Sequence, residues 1–403
     1  MLTFLNPLIV FMGSIGVFLL LLYRKVGLGI ALTCSALLLS LLSLGISQTA
    51  NVLLETLVDP ISLSLVFASF FIMLMSVFYK ETGMVNDLTR SLGRYIKNSK
   101  IIVSLLPAVI GLMPVAGGAL MSAPMVDAEA EKLELDNAKK AFVNIWFRHV
   151  VIPVYPVTQF IVLTAALTQT SLDALITRQI LVVLVMVVIG YYIGLRKTKE
   201  TKQKNINIKK DPKTNLKVLF ISILPIIVTV LLTTALDVDI AFATLAGVIV
   251  ILVVTKKKID FLKILKNKTI WEVTLAAFGA MLFKNVTITS GASEIFGGLL
   301  ANTNMPAIVM LSFVPAVLAF LIGSTSGAIA LSIPILAETI EFIPKNVSLI
   351  FISSYLGYMI APTHLCLVFT AHYFKSSISS SFKYLIPATF VSMAAALITY
   401  LIL

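Results

Sequence analysis

Uninterrupted apolar runs of about 20 residues constrain this chain of 403 residues more than any other feature. A helix of that length spans the ~30 Å hydrocarbon core of a bilayer. The composition agrees, because 59% of the residues are hydrophobic and only 12% are charged, against about 45–50% and 25% in soluble domains. The sequence therefore predicts an all-α polytopic membrane protein. Its first apolar run, Pro7 to Tyr23, lacks the preceding cation of a signal peptide, so we expect it to remain as a membrane helix.

Ten apolar segments have the length expected of membrane spans. They are residues 6–23, 26–46, 60–79, 141–168, 173–195, 216–235, 239–255, 271–285, 347–374 and 382–403. Two further stretches, 101–126 and 305–336, carry prolines and glycines at their centres. These are predicted to be re-entrant hairpins, which enter and leave the membrane on the same side.

The basic residues indicate the orientation of the chain, since cytoplasmic segments of membrane proteins are rich in Lys and Arg. With the N-terminus outside, all 31 Lys and Arg residues fall in inner segments except Arg148, Arg178, Lys284 and Lys345. This predicts a plasma- or inner-membrane protein with both termini outside and a basic cytoplasmic linker at 196–215. The net charge of +12 then reflects topology, and no nucleic-acid partner is expected.

Three segments of the first half match three of the second half in the same order, 206 to 210 residues apart. The pairs are LPAV (106–109) with VPAV (314–317), GGALMSAP (117–124) with GAIALSIP (327–334), and YPVTQFIVLTA (155–165) with APTHLCLVFTA (361–371). Their common order favours duplication. Five crossings per half make the second copy inverted, an arrangement typical of transporters.

The predicted organisation is therefore two inverted repeats, 1–195 and 216–403, joined by the linker 196–215. Each repeat has scaffold helices, an amphipathic arm, and a hairpin followed by transport helices. Those parts are 1–79, 80–100 and 101–195 in the first repeat, and 216–285, 286–304 and 305–403 in the second.

Four helix breaks lie at equivalent places in the two repeats, at 114–118, 153–156, 323–327 and 361–364. Broken helices expose amides that attract anions and carbonyls that can bind Na⁺. The predicted substrate ligands are Ala116, Gly117, Gly118, Arg148, His149, Ser324, Thr325, Ser326, Gly327, Thr363 and His364. The predicted coupling-ion ligands are Thr158, Gln159, Ser324, Thr363 and His364.

Arg148 stands eight positions after Lys140 and so lies about 12 Å into the membrane. An Arg at that depth usually faces protein or water, and its fork of donors suits a carboxylate. The alternatives are a structural Arg that binds hairpin carbonyls and one that reaches back to the inner surface.

Two histidines adjoin the breaks, and either His149 or His364 could carry a coupling proton or remain a neutral core residue. With Cys366 they could also suggest a metal site, but no HExxH motif accompanies them. No Asp or Glu is expected at the midplane, and there is no Walker motif for ATP. We therefore expect neither catalytic residues nor a cofactor beyond the coupling ion, and we expect transport to be secondary.

Three runs, GLMPVAGGALMSAPMVDAEAE (111–131), FRHVVIPVYP (147–156) and GYMIAPTHLCLVFTAHYF (357–374), resemble a prokaryotic ten-span family of unknown function. The whole arrangement resembles the ion transporter superfamily, which includes divalent-anion/sodium symporters, gluconate permeases and the large membrane subunit of tripartite transporters. That resemblance implies a homodimer working by an elevator mechanism, in which hairpins and broken spans move together against a scaffold.

In the symporters a Ser-Asn-Thr sequence at each hairpin tip binds substrate carboxylates. Here the second tip reads Ser324-Thr325-Ser326, and the first, Val115-Ala116-Gly117, has no hydroxyl. The leading hypothesis is a secondary transporter of small organic anions coupled to Na⁺ or H⁺. The alternatives are a cation/proton antiporter or inorganic-oxyanion exporter on the same scaffold, and an intramembrane enzyme or channel with His149 and His364 as ligands.

Overall fold

The structure is a computed structural model that describes residues 7–96, 98–112, 118–198, 216–255, 259–303 and 305–403. Over these residues the chain forms α-helices and one short 3₁₀ helix, Ile152–Val154, and no strand. The helices are α1 Pro7–Tyr23, α2 Leu28–Val58, α3 Pro60–Thr82, α4 Met84–Tyr95, α5 Ser99–Gly111, α6 Gly118–Lys132, α7 Asn137–Val150, α8 Gln159–Thr168, α9 Leu172–Gly194, α10 Leu216–Thr234, α11 Ile240–Val254, α12 Phe261–Leu265, α13 Lys268–Thr289, α14 Ala292–Ala301, α15 Ala307–Ile322, α16 Thr325–Leu336, α17 Pro344–Met359, α18 Leu365–Tyr373 and α19 Ile378–Ile402.

Six helices of the described chain are long and apolar enough to cross a membrane. They are α2, α3, α9, α10, α19 and the stretch Asn137–Thr168, which joins α7 to α8. A seventh is added when α13 and the following Ala292–Leu299, bent by 72°, count as one span. Large apolar side chains such as Ile46 and Val188 are exposed on these helices, as lipid-facing residues are. The chain is thus a multi-pass membrane protein.

Helix α2 is longer than the predicted segment 26–46 and continues to Val58. It is kinked at Gly45, whose φ is +79°, a value that glycine adopts at little energetic cost. The helix resumes after the kink because no proline follows until Pro60. There Asp59 accepts a hydrogen bond from the Ser62 amide and caps α3.

Helices α4 and α14 lie within the two predicted arms, 80–100 and 286–304, and both begin later than the predicted boundaries. The first, α4, follows Gly83, whose φ is +79°. The second was predicted from residue 286, whereas α13 continues to Thr289 and the turn occurs at Gly291 with φ +72°. The glycine that permits the left-handed turn therefore sets the boundary, and the preceding apolar residues remain helical.

Each predicted hairpin consists of two helices that contact one another. Helix α5 packs against α6 and α7, and α15 packs against α16 and α17. The second hairpin turns at Gly323, with φ +68°, and Ser324 caps α16 by accepting from the Gly327 amide at 3.2 Å. The tip of the first hairpin, with Ala116 and Gly117, lies outside the described residues.

The helices form two packing groups. In one, α2 packs against α13, and α3 packs against α11 and α13. In the other, α6 packs against α18, α16 against α8, and α9 against α19. The two groups also touch, because α16 packs against α13 and α8 packs against α3. Within the second group the breaks of both halves come together.

Candidate functional site

Of the four predicted breaks, the two at 153–156 and 361–364 fall where their prolines predict them. In the first, α7 ends at Val150 and α8 begins at Gln159, with the 3₁₀ turn between them. Pro153 has no amide hydrogen, so the His149 carbonyl four residues earlier lacks its helical donor. The Tyr355 hydroxyl donates to that carbonyl at 2.6 Å. A residue of α17 thus satisfies the broken end of α7.

The Arg148 side chain is buried, at 5% exposure, and lies against the start of α6. A Cβ placed on Gly118 would be 2.6 Å from Nη1 and 2.7 Å from Cζ of Arg148. Nη1 has no hydrogen-bond partner, and no ion pair of Arg148 is found in the described part of the chain. The buried guanidinium of Arg148 therefore has no neutralising partner there and lies beside the N-terminus of α6, the second helix of the first hairpin.

His149 and His364 come from different halves of the chain and meet edge to face, with ring centroids 4.9 Å apart. His149 Nδ1 donates to the Ile145 carbonyl at 2.7 Å. His364 is fully buried, and neither of its ring nitrogens makes a hydrogen bond. The Tyr358 ring covers it with centroids 3.9 Å apart.

The second hairpin reaches the same region through Thr363. A Cβ on Gly323 would overlap the Thr363 hydroxyl, so the hairpin tip touches the residue before His364. Thr325, Ser326 and Gly327 are buried in the first turn of α16, and the Thr325 hydroxyl has no partner. A continuous set of contacts therefore links the two hairpins. Its members are Gly118, Arg148, His149, His364, Thr363 and Gly323.

The two predicted coupling-ion residues of the first break face different surroundings. Thr158 caps α8 and is 7% exposed, and its hydroxyl has no hydrogen-bond partner. Gln159 instead points to α13, since its Nε2 lies 3.5 Å from the Val273 carbonyl oxygen. The Thr158 hydroxyl is thus available as a ligand. The Gln159 side chain instead points towards α13, which packs with α2 and α3.

The acidic residues of α6 lie at its far end and are already paired. Asp127 contacts Lys140 at 2.6 Å, and Glu129 contacts Lys132 at 2.7 Å. Glu129 also accepts from the Ser99 hydroxyl at 2.8 Å. These carboxylates join α6 to its neighbours and leave Arg148 without an acidic partner.

Sequence reasoning missed Tyr355 and Tyr358, whose rings are stacked near His149 and His364. Their spacing of three residues in an apolar segment places them on one face of α17, and that is the only signal they give. Nothing in the sequence connects this face with the end of α7.

Comparison with known proteins gives the family of the chain. No curated protein matches the sequence. A family described as a protein of unknown function (DUF401) matches residues 7–403, which include both hairpins and both broken spans. The chain therefore belongs to the DUF401 family of proteins of unknown function.

Proposed function

We propose that this protein is a secondary active transporter of small organic anions that carry carboxylates. The observation that carries the proposal is the buried Arg148 guanidinium, which has no acidic partner in the described chain and lies beside the start of α6. An unpaired buried charge is expensive, so a residue of this kind usually meets a ligand or water. A carboxylate accepts two parallel hydrogen bonds from such a fork.

The surroundings of Arg148 favour an anion. Helix α6 begins at Gly118, and the first amides of a helix carry partial positive charge. The neighbouring His149 belongs to a group with His364 and Cys366, whose ligand atoms lie within 4.8 Å of one another, and no Asp or Glu of the described residues is part of that group. The hydroxyls of Thr325 and Thr158 are buried without partners and supply neutral ligands for Na⁺. The coupling ion is Na⁺ or H⁺.

The architecture proposed for this activity is ten spans and two hairpins in two inverted repeats, as in the ion transporter superfamily. The contacts of α5 with α6 and α7 have their counterpart in those of α15 with α16 and α17. Tyr355, whose hydroxyl meets His149, lies 206 residues after it, which is the offset of the broken spans. The proposal includes an elevator in which the group of α2, α3, α11 and α13 is the scaffold, with homodimer contacts on that scaffold and both termini outside.

The test is uptake of organic acids by proteoliposomes that contain the purified protein, with and without a Na⁺ or proton gradient. A thermal-shift screen of carboxylates first identifies the solute, since a ligand that binds the folded state raises its stability. Uptake that depends on inorganic oxyanions alone, or proton flux on adding cations without any organic acid, would instead support the alternative exporter or antiporter.

Arg148→Lys is expected to lower organic-anion uptake about tenfold to hundredfold, because Lys keeps the charge but loses the bidentate hydrogen bond, worth about 1.5–3 kcal/mol. The measurement is initial uptake rate at equal protein per vesicle. Arg178→Lys is the matched control, because Arg178 already donates to the Ala174 carbonyl on its own helix at 3.2 Å. Equal uptake by wild type and Arg148→Lys would contradict carboxylate binding by this guanidinium.

A further inference from the structure

We propose that His149, His364 and Cys366 form a binding site for a borderline-to-soft transition-metal ion, represented by Zn²⁺. Their ligand atoms all lie within 4.8 Å of one another. His149 ends α7, and His364 and Cys366 begin α18, so the site joins the two broken spans. The proposal does not depend on transport, since it concerns what these three side chains bind.

The distances require only a small adjustment for metal binding. Zn²⁺ binds nitrogen at about 2.0–2.1 Å and sulfur at about 2.3 Å, which places tetrahedral ligand atoms about 3.5 Å apart. The most distant pair of ligand atoms therefore needs to close by about 1.3 Å. His364 and Cys366 stand at the free end of α18, where a change of side-chain rotamer or a slight turn of the helix achieves this.

His149 is already in the tautomer that a metal requires. Its Nδ1 donates to the Ile145 carbonyl at 2.7 Å, so Nε2 carries the free lone pair. Metal-binding histidines commonly donate their second ring nitrogen to a backbone carbonyl in this way, which fixes the ring and raises its basicity.

His364 provides an independent observation. It is 0% exposed, and neither Nδ1 nor Nε2 makes a hydrogen bond. The Met359 backbone approaches the ring without the alignment of a hydrogen bond. Burying a polar group without a partner is costly. A metal ion bound to one ring nitrogen would give that nitrogen a partner.

The ligand types select the metal. Imidazole and thiolate bind Zn²⁺ and copper well, whereas Mg²⁺ and Ca²⁺ prefer oxygen ligands. When Zn²⁺ binds, the Cys366 thiol releases its proton to solvent and the S–Zn bond replaces the S–H bond. The thiolate also offsets part of the ion's charge next to Arg148. Three protein ligands leave a fourth position open for water or an anion.

The test uses Co²⁺ as a spectroscopic substitute for Zn²⁺ in the purified, metal-stripped full chain. We expect one Co²⁺ per chain and a near-ultraviolet thiolate-to-cobalt band that Zn²⁺ removes by competition and Mg²⁺ does not. Cys366→Ser should abolish the band and weaken metal binding by more than about tenfold. Matched controls are Cys34→Ser and His372→Ala, which change the other cysteine and the third histidine, both exposed.

A second measurement does not depend on changing the site. In the Cys34→Ser chain, Cys366 is the only thiol, and Zn²⁺ should slow its alkylation while Mg²⁺ leaves the rate unchanged. Absence of the cobalt band in the wild-type chain, its survival in Cys366→Ser, or alkylation that is indifferent to Zn²⁺ would each overturn the metal site. None of these outcomes bears on anion uptake.

Discussion

Gly118→Ala is expected to lower organic-anion uptake about a hundredfold while changing the stability of the protein little. The added Cβ would occupy the space of the Arg148 guanidinium, 2.6 Å from Nη1 and 2.7 Å from Cζ. The end of a flexible side chain moves aside easily, so the fold accommodates the methyl group. The guanidinium then leaves the start of α6, and binding geometry that is displaced by about 1 Å can reduce activity about a hundredfold.

The measurement combines uptake in proteoliposomes with the melting temperature in detergent. Gly93→Ala is the matched control, because its Cβ would meet only the Met125 methyl group, at an ordinary 3.8 Å. Full uptake by Gly118→Ala at unchanged stability would show that the position of Arg148 beside α6 does not matter for transport.

Gly357→Ala is expected to destabilise the protein and to lower its free energy of unfolding by about 3 kcal/mol or more. Its Cβ would lie 2.8 Å from the Cα and the carbonyl carbon of Ala316, and closer still to the carbonyl oxygen. These are backbone atoms of α15, so relief requires the two helices to separate. Small residues at such contacts are what allow membrane helices to pack closely.

Thermal unfolding and monodispersity in detergent measure this effect. Gly16→Ala on α1 is the control, since nothing lies within 4 Å of its added Cβ and alanine favours a helix more than glycine does. We expect a lower melting temperature and aggregation for Gly357→Ala, and an unchanged or slightly higher melting temperature for Gly16→Ala. A Gly357→Ala protein as stable as the wild type would contradict the close packing of α15 on α17.

Much of the helical arrangement could be predicted because its signals are local. Apolar runs and prolines located α3, α9 and both broken spans, since a run of about 20 apolar residues and a missing amide act through the chain itself. The start of α14 and the length of α2 could not be predicted. The start of α14 depends on whether Gly291 takes a left-handed φ, and the length of α2 depends on whether Gly45 does. A glycine adopts left-handed and right-handed φ values about equally readily, so the residue type alone does not decide between them.

Several residues of the candidate site could be named from the sequence, whereas the contacts among them could not. Arg148, His149 and His364 were recognisable because charged and titratable residues are costly within an apolar segment. The contact of the two imidazoles joins residues 215 positions apart, and the Tyr355 hydroxyl reaches from α17 to the His149 carbonyl of α7. Contacts of this kind depend on how α7, α17 and α18 pack, which periodicity does not encode.

The sequence by itself determined that this is an all-helical membrane protein whose helices break at prolines and glycines, since length, hydropathy and missing amides are properties of the residues. Only the tertiary structure decided which broken ends meet. It placed the Arg148 guanidinium at Gly118 and brought His149, His364 and Cys366 to within 4.8 Å, because contacts between residues far apart in sequence depend on how α6, α7 and α18 pack.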